Sequence, residues 1–289
     1  MSGIALDRDG PVALIRFDRP EKLNALTLAM YEELGAAFDE VRDDASIAVA
    51  VLTGAGHRAF CVGADLTESI PALAEGRFDI SRWDGAHQKH TALFKPVIAA
   101  VNGLCLGGGF EIMLSTDLRI AADTAEFQLP ESGVGVVPAG GTLTRLARQI
   151  PYVWAMELML LGDRISAATA LRYGLLNAVV PADRLLEAAM DRAHRLTARS
   201  GTALETIKES VLRLGDLPQD QAFHSEALYG QRAFTAPDAR EGLAAFAERR
   251  PPRFPSRRNA GGPAAGCGAP PHTPRARGRA SPPARPARA

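Results

Sequence analysis

The sequence predicts an α/β protein with a mostly parallel sheet, followed by a helical C-terminal part. Residues 47–52 and 96–101 are continuous apolar runs that end at Gly- or Asn-containing turn signals, as buried strands do. Residues 28–41 have helical spacing, and after Pro151 the chain carries one helical pattern after another. An order in which strands alternate with helices is typical of parallel pairing.

The elements of the N-terminal part follow from local patterns. Residues 12–17 are a short β-rich run that ends at Asp18-Arg19-Pro20. The strands after it are predicted at 47–52, 96–101 and 118–121, and the helices at 28–41 and 110–113. The apolar residues expected on the buried face of the first helix are Met30, Leu34, Ala37, Phe38 and Val41.

The C-terminal part is predicted to be helical, with one short strand at 178–180. Its helices are expected at 155–161, 167–173, 182–198, 203–214, 219–234 and 238–249. Ser166 is a suitable N-cap for the second of them, because a serine hydroxyl can accept a hydrogen bond from a first-turn N–H. We expect a core over residues 1–195, a helical region over 196–250 and a tail over 251–289.

The tail differs in composition from the rest of the chain. It holds eight Arg and half of the 20 prolines but no Lys, Asp or Glu, so the preceding body is net acidic although the chain has zero net charge. Such a segment buries too little apolar area to offset chain entropy, and we expect it to be disordered. A basic arm can bind nucleic acid, but this one has a single aromatic, Phe254, so we expect no nucleic-acid partner.

Composition argues against several other classes. No apolar run approaches the roughly 18–20 residues that cross a bilayer, and the N-terminus has no secretory signal pattern. Cys61, Cys105 and Cys267 form no CxxC pair and no His/Cys cluster, which is typical of reduced thiols in a cytosolic protein without structural zinc. We therefore expect a cytoplasmic protein that contacts no membrane and holds no metal ion.

One stretch matches a nucleotide-binding motif in residue type but lacks the structural context that the motif needs. Residues 54–59 read GAGHRA after a strand, which fits GxGxxA, but no amphipathic helix follows and no strand-end acid lies about 20 residues on. We interpret this stretch as a strand-to-loop turn. The chain also lacks GxxxxGK[ST], HExxH and GxSxG, so the sequence argues against NAD, ATP, zinc-protease and serine-hydrolase chemistry.

Two glycine-containing loops are candidate anion sites. Residues 107–109 are three glycines between a predicted strand and helix, and Gly63 lies in a second loop after a strand. N–H groups at a helix N-terminus have no internal acceptor, and glycine lets a ligand atom approach them closely. Two N–H groups from separate loops that point at one position form an oxyanion hole, which stabilises negative charge on a carbonyl oxygen. For either loop alone, a tight turn is the preferred interpretation.

Two glutamates accompany these loops. Glu111 lies one turn into an apolar helix, and Glu131 lies in a Pro- and Gly-rich loop. If the two carboxyl groups shared one water, burial and mutual repulsion would raise at least one pKa and suit it to acid–base catalysis. The spacing leaves alternatives open, because Glu111 could be a helix-dipole or salt-bridge residue and Glu131 an exposed loop acid.

Eight short motifs occur in one register between about residues 4 and 250. They are RPEKLNAL (19–26), AFCVGADL (59–66), KPVIAAVNG (95–103), GGGFEI (107–112), LPE (129–131), GGTLTRL (140–146), LGDRISA (161–167) and YGLLNAVV (173–180). As a set they resemble the enoyl-CoA hydratase/isomerase (crotonase) family. The tail lies outside the resemblance.

The resemblance implies a fold and a site. The fold is a crotonase-like spiral of ββα turns with a C-terminal helical trimerisation region, and family members commonly stack as hexamers. The implied oxyanion donors are the N–H groups of Ala64 and Gly108, and the implied catalytic acids are Glu111 and Glu131. The implied substrate-binding positions are Lys22, Ala25, Ala64, Asp65, Leu66, Thr67 and Gly108. Coenzyme A would be part of the substrate, and no cofactor is implied.

The presence of both acids favours an enoyl-CoA hydratase, a hydro-lyase of fatty acid or related acyl-CoA metabolism. The alternatives are a carnitinyl-CoA dehydratase or an enoyl-CoA isomerase of the same family. In a different class stands a non-catalytic acyl-CoA or RNA-binding homologue. Thr67 and Phe110 depart from residues common in the family, and residues 68–90, with Phe78, Ile80 and Trp83, are expected to wall the acyl pocket.

Overall fold

The computed structural model describes residues 3–77 and 79–258. Its strands are β1 (Ile4–Asp9), β2 (Val12–Phe17), β3 (Val49–Gly54), β4 (Ala59–Cys61), β5 (Val97–Val101), β6 (Leu104–Leu106), β7 (Leu118–Ala122), β8 (Glu126–Gln128), β9 (Ile165–Ser166) and β10 (Ala178–Val180). Its α-helices are α1 (Leu28–Asp43), α2 (Ser69–Ala74), α3 (Gly108–Met113), α4 (Thr142–Gln149), α5 (Tyr152–Leu161), α6 (Ala167–Arg172), α7 (Leu185–Thr197), α8 (Gly201–Leu214), α9 (Gln219–Phe234), α10 (Pro237–Ala247) and α11 (Pro255–Arg258). Phe78, expected in the acyl-pocket wall, lies outside the described residues.

The strands form two sheets. The larger has the order β1-β2-β3-β5-β7-β10, and the smaller has the order β4-β6-β8-β9. Pairing is antiparallel between β1 and β2 and between β8 and β9, and parallel elsewhere. The prediction of a mostly parallel α/β core is confirmed.

A repeated strand–strand–helix unit builds both sheets. In β3-β4-α2 and again in β5-β6-α3, the first strand joins the larger sheet and the second joins the smaller one. The pair β7-β8 continues the order, with a 3₁₀ turn over Glu131–Val134 and then α4. Because β4 and β6 are parallel neighbours, with Cys61 opposite Cys105, the loops that follow them lie side by side. These are the two glycine loops.

The core lies between the larger sheet and the helices. Every residue of β3 and β5 is buried, as expected for continuous apolar runs with both faces covered. Helix α7 packs on β3, β5 and β7, and α1 buries the predicted apolar face. That face also includes Tyr31, which was not predicted.

Short elements escaped sequence prediction. The strands β4, β6, β8 and β9 have two or three residues, too few to show a period, and β1 and α4 were missed as well. The GAGHRA stretch connects β3 to β4 without a helix, so its interpretation as a turn is confirmed. The Ser166 cap is also confirmed, because its hydroxyl accepts from the Thr169 N–H at 3.2 Å.

The described chain continues into the predicted tail. Helix α11 begins at Pro255, and Ser256 bonds to Asp238 and to the Gly201 N–H, so residues 251–258 are attached to the helical region. The rest of the predicted tail, 259–289, lies outside the described residues. Among the described helices, none is both long and apolar enough to span a bilayer.

Candidate active site

The N–H groups of Ala64 and Gly108 are close neighbours. Gly63, just before Ala64, has φ +90°, and a Cβ added there would lie 2.8 Å from the Gly108 nitrogen. A Cβ added at Gly108 would lie 3.7 Å from the Ala64 nitrogen. Neither N–H has a hydrogen-bond acceptor within residues 3–77 and 79–258. The two loops therefore place two donors without acceptors next to each other, an arrangement compatible with the predicted oxyanion hole.

Backbone contacts fix the positions of these two loops. The Leu26 N–H donates to the Gly63 carbonyl at 2.8 Å, and the Asp65 N–H donates to the Leu26 carbonyl at 2.8 Å, which forms a parallel bridge between Leu26 and Ala64. On the other side, Gly109 packs so closely on Cys61 that an added Cβ would lie 2.2 Å from the Cys61 carbonyl oxygen. Only glycine fits at this contact between α3 and β4.

The Asp65 carboxylate fastens the first loop to the segment after β2. One oxygen accepts from the Thr67 N–H and hydroxyl at 2.8 and 2.6 Å, and the other accepts from Arg19 at 2.6 Å. Arg19 also donates to the Ala25 carbonyl at 3.1 Å. The bond from Thr67 and the charge of Arg19 hold the pKa of Asp65 below its usual range. This carboxylate is therefore ionised, and both of its oxygens already accept hydrogen bonds from protein groups.

The predicted substrate-binding positions of the two segments 22–25 and 64–67 lie on adjoining stretches of chain. Ala25 and Ala64 lie beside each other at the Leu26 bridge, while Lys22, Leu66 and Thr67 are exposed around them. Thr67 uses its hydroxyl to bind Asp65. Contacts with a ligand from this segment would therefore come from backbone groups or from the exposed side chains of Lys22 and Leu66.

Glu111 is buried beside a backbone donor. It lies on α3, three residues after Gly108, and is 4 % exposed. The Gly140 N–H donates to its Oε1 at 2.6 Å. Burial raises the pKa of Glu111, and the Gly140 N–H opposes that shift by binding the ionised form. The alternative of a salt-bridge residue is wrong, since no ion pair with Glu111 forms among the described residues.

Glu131 opens the 3₁₀ turn after β8 and is half-buried. Its Oε2 is enclosed and has no hydrogen-bond partner in the described chain, while its Oε1 lies 3.1 Å from where a Gly107 Cβ would be. Burial raises the pKa of Glu131 to about 7, and the charge of Glu111 adds to the rise. The structure thus joins both glutamates to the glycine loops, and Glu131 is not a freely exposed loop acid.

Two further residues at this site were missed by sequence reasoning. Tyr31 and His87 are 1 % and 0 % exposed, and the Tyr31 hydroxyl and the His87 Nε2 have no hydrogen-bond partner in the described chain. A Cβ added at Gly108 would lie 3.0 Å from the Tyr31 hydroxyl, and one added at Gly140 would lie 2.4 Å from Nε2. A signal for Tyr31 was available, since it follows Met30 on the apolar face of α1. His87 had none.

Groups that hold metal ions are absent from the described part of the chain. No cluster of three or more His, Cys, Asp or Glu with a geometry suited to a metal occurs there. The site therefore offers backbone donors, two carboxyl groups, a phenol and an imidazole. Such a set can stabilise an oxyanion and move protons.

Comparison with known proteins shows the family of this chain. The family model for enoyl-CoA hydratase/isomerase matches residues 7–257, and the chain belongs to this family. The enoyl-CoA hydratase EchA19 of Mycobacterium tuberculosis is 38% identical over 257 residues, 87% of this chain and 96% of that protein. The carnitinyl-CoA dehydratase of Proteus mirabilis is 39% identical over 256 residues, 86% of this chain and 96% of that protein.

A solved structure supports the fold as well. The crystal structure of enoyl-CoA hydratase from Bacillus anthracis has a TM-score of 0.81 and 34% identity, and the match covers 88% of this chain and 100% of that one. The predicted crotonase-like fold is therefore confirmed. The resemblance noted from the eight motifs is confirmed by the family match.

Proposed function

We propose that the chain is an enoyl-CoA hydratase that adds water across the 2,3 double bond of a 2-enoyl-CoA thioester and forms a 3-hydroxyacyl-CoA. The observation that carries this proposal is the placement of Glu111 and Glu131 beside the paired N–H groups of Ala64 and Gly108. Family membership and the relatives named enoyl-CoA hydratase support it.

The oxyanion hole activates the substrate. The thioester carbonyl oxygen accepts from the Ala64 and Gly108 N–H groups, which draws electrons from the conjugated double bond and makes C3 electrophilic. As water adds to C3, negative charge moves to this oxygen and its two hydrogen bonds strengthen. A donor in such a position contributes about 3–4 kcal/mol to transition-state stability.

The two carboxyl groups divide the proton transfers. Ionised Glu111, oriented by the Gly140 N–H, accepts a proton from the water whose oxygen bonds to C3. Glu131, whose pKa is raised to about 7, is protonated in a substantial fraction of molecules at neutral pH, and this form delivers the proton to C2. The proton on Glu111 then passes to Glu131 through the next water, which restores the starting state. Acid–base assistance of this kind contributes about 10²–10⁴-fold in rate.

Coenzyme A would enter as part of the substrate, with no separate cofactor. The segment from Lys22 to Ala25 and the loop from Ala64 to Thr67 flank the oxyanion hole and are the proposed contacts for its pantetheine and adenine portions. Assembly into a homotrimer or hexamer is also part of this proposal. Exposed apolar residues on α5, α8, α9 and α10 support it, among them Tyr152, Val211, Phe234 and Phe246.

The test is hydration of crotonyl-CoA by the purified protein, followed as loss of the conjugated enoyl-thioester absorbance. The wild type should act rapidly, and Glu131→Gln should lose at least about 10³-fold in kcat while keeping the same circular dichroism and melting temperature. Glu226→Gln, a change in the exposed helix α9, is the matched control and should act as the wild type. Normal turnover by Glu131→Gln would refute the assignment.

A second candidate from the same family is carnitinyl-CoA dehydration, favoured by the 39% identity to the Proteus mirabilis dehydratase. An assay with crotonobetainyl-CoA decides between the two. Exclusive turnover of that substrate, with crotonyl-CoA untouched, would replace the first proposal with the second.

A further inference from the structure

Helix α4 brings the Arg145 guanidinium back to the N-terminal end of the helix. Arg145 lies one turn after Gly141, and helical side chains point toward the helix N-terminus. A Cβ added at Gly141 would lie 2.7 Å from Arg145 Nη1. Gly140, the preceding residue, donates its N–H to Glu111 Oε1 at 2.6 Å. The guanidinium and the Glu111 carboxyl group therefore adjoin two consecutive glycines.

The guanidinium of Arg145 donates to neutral acceptors. Its Nη1 donates to the His87 carbonyl at 2.7 Å, and its Nη2 donates to the Gln88 carbonyl at 3.1 Å. Within residues 3–77 and 79–258, no carboxylate forms an ion pair with it. Because carbonyl groups carry no net charge, the positive charge of Arg145 is not cancelled by a direct partner there.

Lys89, a second cation near Glu111, is already paired. Its ammonium group lies 2.9 Å from the Asp84 carboxylate and donates to the Ala139 carbonyl at 2.8 Å. Asp84 therefore balances much of its charge. The charge of Arg145 acts on Glu111 without such a balance, and the interaction is mutual, since burial lowers the pKa of Arg145 and the charge of Glu111 opposes that fall.

Other titratable groups near Glu111 do not supply this positive charge. Burial lowers the pKa of His87 to about 4, so its imidazole is neutral at pH 7. Glu131 can add only negative charge. Arg119 donates to two carbonyls at the opposite end of α3, at 3.1 and 3.0 Å. Burial raises the pKa of three weak acids, which are therefore neutral as well: Tyr31, Cys61 and Cys105.

An ionised Glu111 needs compensation inside the protein. Burial and the neighbouring acid Glu131 both favour its protonated form, whereas the proposed proton transfer requires the carboxylate. The Gly140 N–H binds the ionised form, and the N-terminal end of α4 adds a partial positive charge. A nearby full positive charge can lower the pKa of a carboxyl group by about 1–3. Arg145 carries such a charge.

We propose that Arg145 is a positioning residue for the reaction: its guanidinium stabilises Glu111 as the carboxylate that accepts a proton from water, and it fixes the 87–88 segment against α4. This inference rests on the proposed hydratase function. It gives the charge of Arg145, in addition to its two hydrogen bonds, a part in catalysis.

The pH dependence of kcat/KM for crotonyl-CoA separates this charge from the hydrogen bonds. Protonation of Glu111 sets the acid limb of the profile, so loss of the charge should move that limb to higher pH. Arg145→Gln retains an amide donor without the charge, and Arg145→Met is a second neutral variant. Both should raise the midpoint of the acid limb by about one pH unit or more and leave the alkaline limb in place.

Two further variants complete this comparison. Arg145→Lys retains the charge and should keep the acid limb within about 0.3 pH units of the wild type. Arg148→Gln, three residues further along α4, removes an exposed pair with Asp216 and is the matched control that should keep both limbs. A loss of kcat/KM by the same factor at every pH in Arg145→Gln and Arg145→Met would show a purely structural role and refute the inference.

Infrared titration measures the protonation of Glu111 without turnover and so separates this inference from the hydratase proposal. A protonated carboxyl group has its own C=O stretching band, and the band of Glu111 is the one that Glu111→Gln lacks. A midpoint at higher pH in Arg145→Gln, with no hydration of any enoyl-CoA by the wild type, would support the inference and refute the hydratase. An unchanged midpoint in a wild type and variant that hydrate crotonyl-CoA would refute the inference alone.

Urea unfolding at pH 7 provides a readout for a neutral variant that is too unstable to titrate. If the two charges interact, adding Glu111→Gln to Arg145→Gln should restore part of the lost stability, because the carboxylate that lacks compensation is then removed. No recovery would show that Arg145 is needed only for its hydrogen bonds and would refute the inference.

Discussion

The backbone N–H of Gly140 donates to Glu111 Oε1 at 2.6 Å, while the absent side chain of Gly140 leaves room for Glu111 Oε2 and the His87 ring. Gly140 thus orients the proposed catalytic carboxyl group through its N–H, and its lack of a side chain leaves space for Glu111 and His87. A Cβ at this position would lie within 2.7 Å of Glu111 and 2.4 Å of His87, closer than van der Waals contact allows.

Gly140→Ala should therefore displace the Glu111 carboxyl group. Because a displacement of about 1 Å can cost about 10²-fold in rate, we expect kcat for crotonyl-CoA to fall by roughly that factor. Steady-state kinetics measure it. Gly230→Ala, a helical position on α9 with nothing within 4 Å of an added Cβ, is the control and should retain full activity. Wild-type kcat in Gly140→Ala would show that the orientation of Glu111 is not critical.

Gly63→Ala should damage the oxyanion hole. The position combines φ +90° with a Cβ that would lie 2.8 Å from the Gly108 nitrogen, so the substitution strains the loop and pushes one donor away. We expect a loss of about 10²–10³-fold in kcat, the effect of losing one such donor. Gly174→Ala has a similar φ, +85°, and open space around it, so it reproduces the strain without the collision. Equal losses in both variants would assign the effect to strain alone.

The pH dependence should report the proton shared by Glu111 and Glu131. Hydration needs one proton on the pair, and burial raises the pKa of Glu131 to about 7. Above that pH the proton is lost, so kcat/KM should fall about tenfold per pH unit. A flat profile to pH 9 would contradict the assigned roles.

Asp65→Asn should loosen the link between the first oxyanion loop and the segment after β2. Arg19 would keep its charge and lose its ionised partner, and we expect the free energy of unfolding to fall by about 2 kcal/mol in urea titrations at pH 7. Asp216→Asn breaks the exposed pair with Arg148 and should cost less than about 0.5 kcal/mol.

The same carboxylate predicts a pH effect on stability. The pKa of Asp65 is lower in the folded protein than in the unfolded chain, so its contribution is present above the unfolded pKa and is lost as pH falls toward the folded value. The difference in stability between wild type and Asp65→Asn should therefore begin to shrink below about pH 4 and keep shrinking as the pH falls further. A constant difference between them down to pH 3 would show that the charge of Asp65 is not the cause.

Much of the fold was predictable because the longer helices and strands show a clear hydrophobic pattern in the sequence. The apolar runs of β3 and β5 and the faces of α1, α8 and α9 each supply enough residues to show their spacing. The short strands of the second sheet do not, since three residues show no period and are set by pairing with neighbours distant in sequence.

The sequence by itself determined the family and the mostly parallel core, and it predicted the four residues proposed for the reaction centre, because these depend on local motifs. Tertiary structure decided which atoms meet. It placed Gly140 and His87 against Glu111 and the Tyr31 hydroxyl against Gly108, contacts that link residues 29, 24 and 77 positions apart along the chain. It also raised the pKa of Glu131 to about 7, because burial and the charge of Glu111 arise only when separate segments pack together.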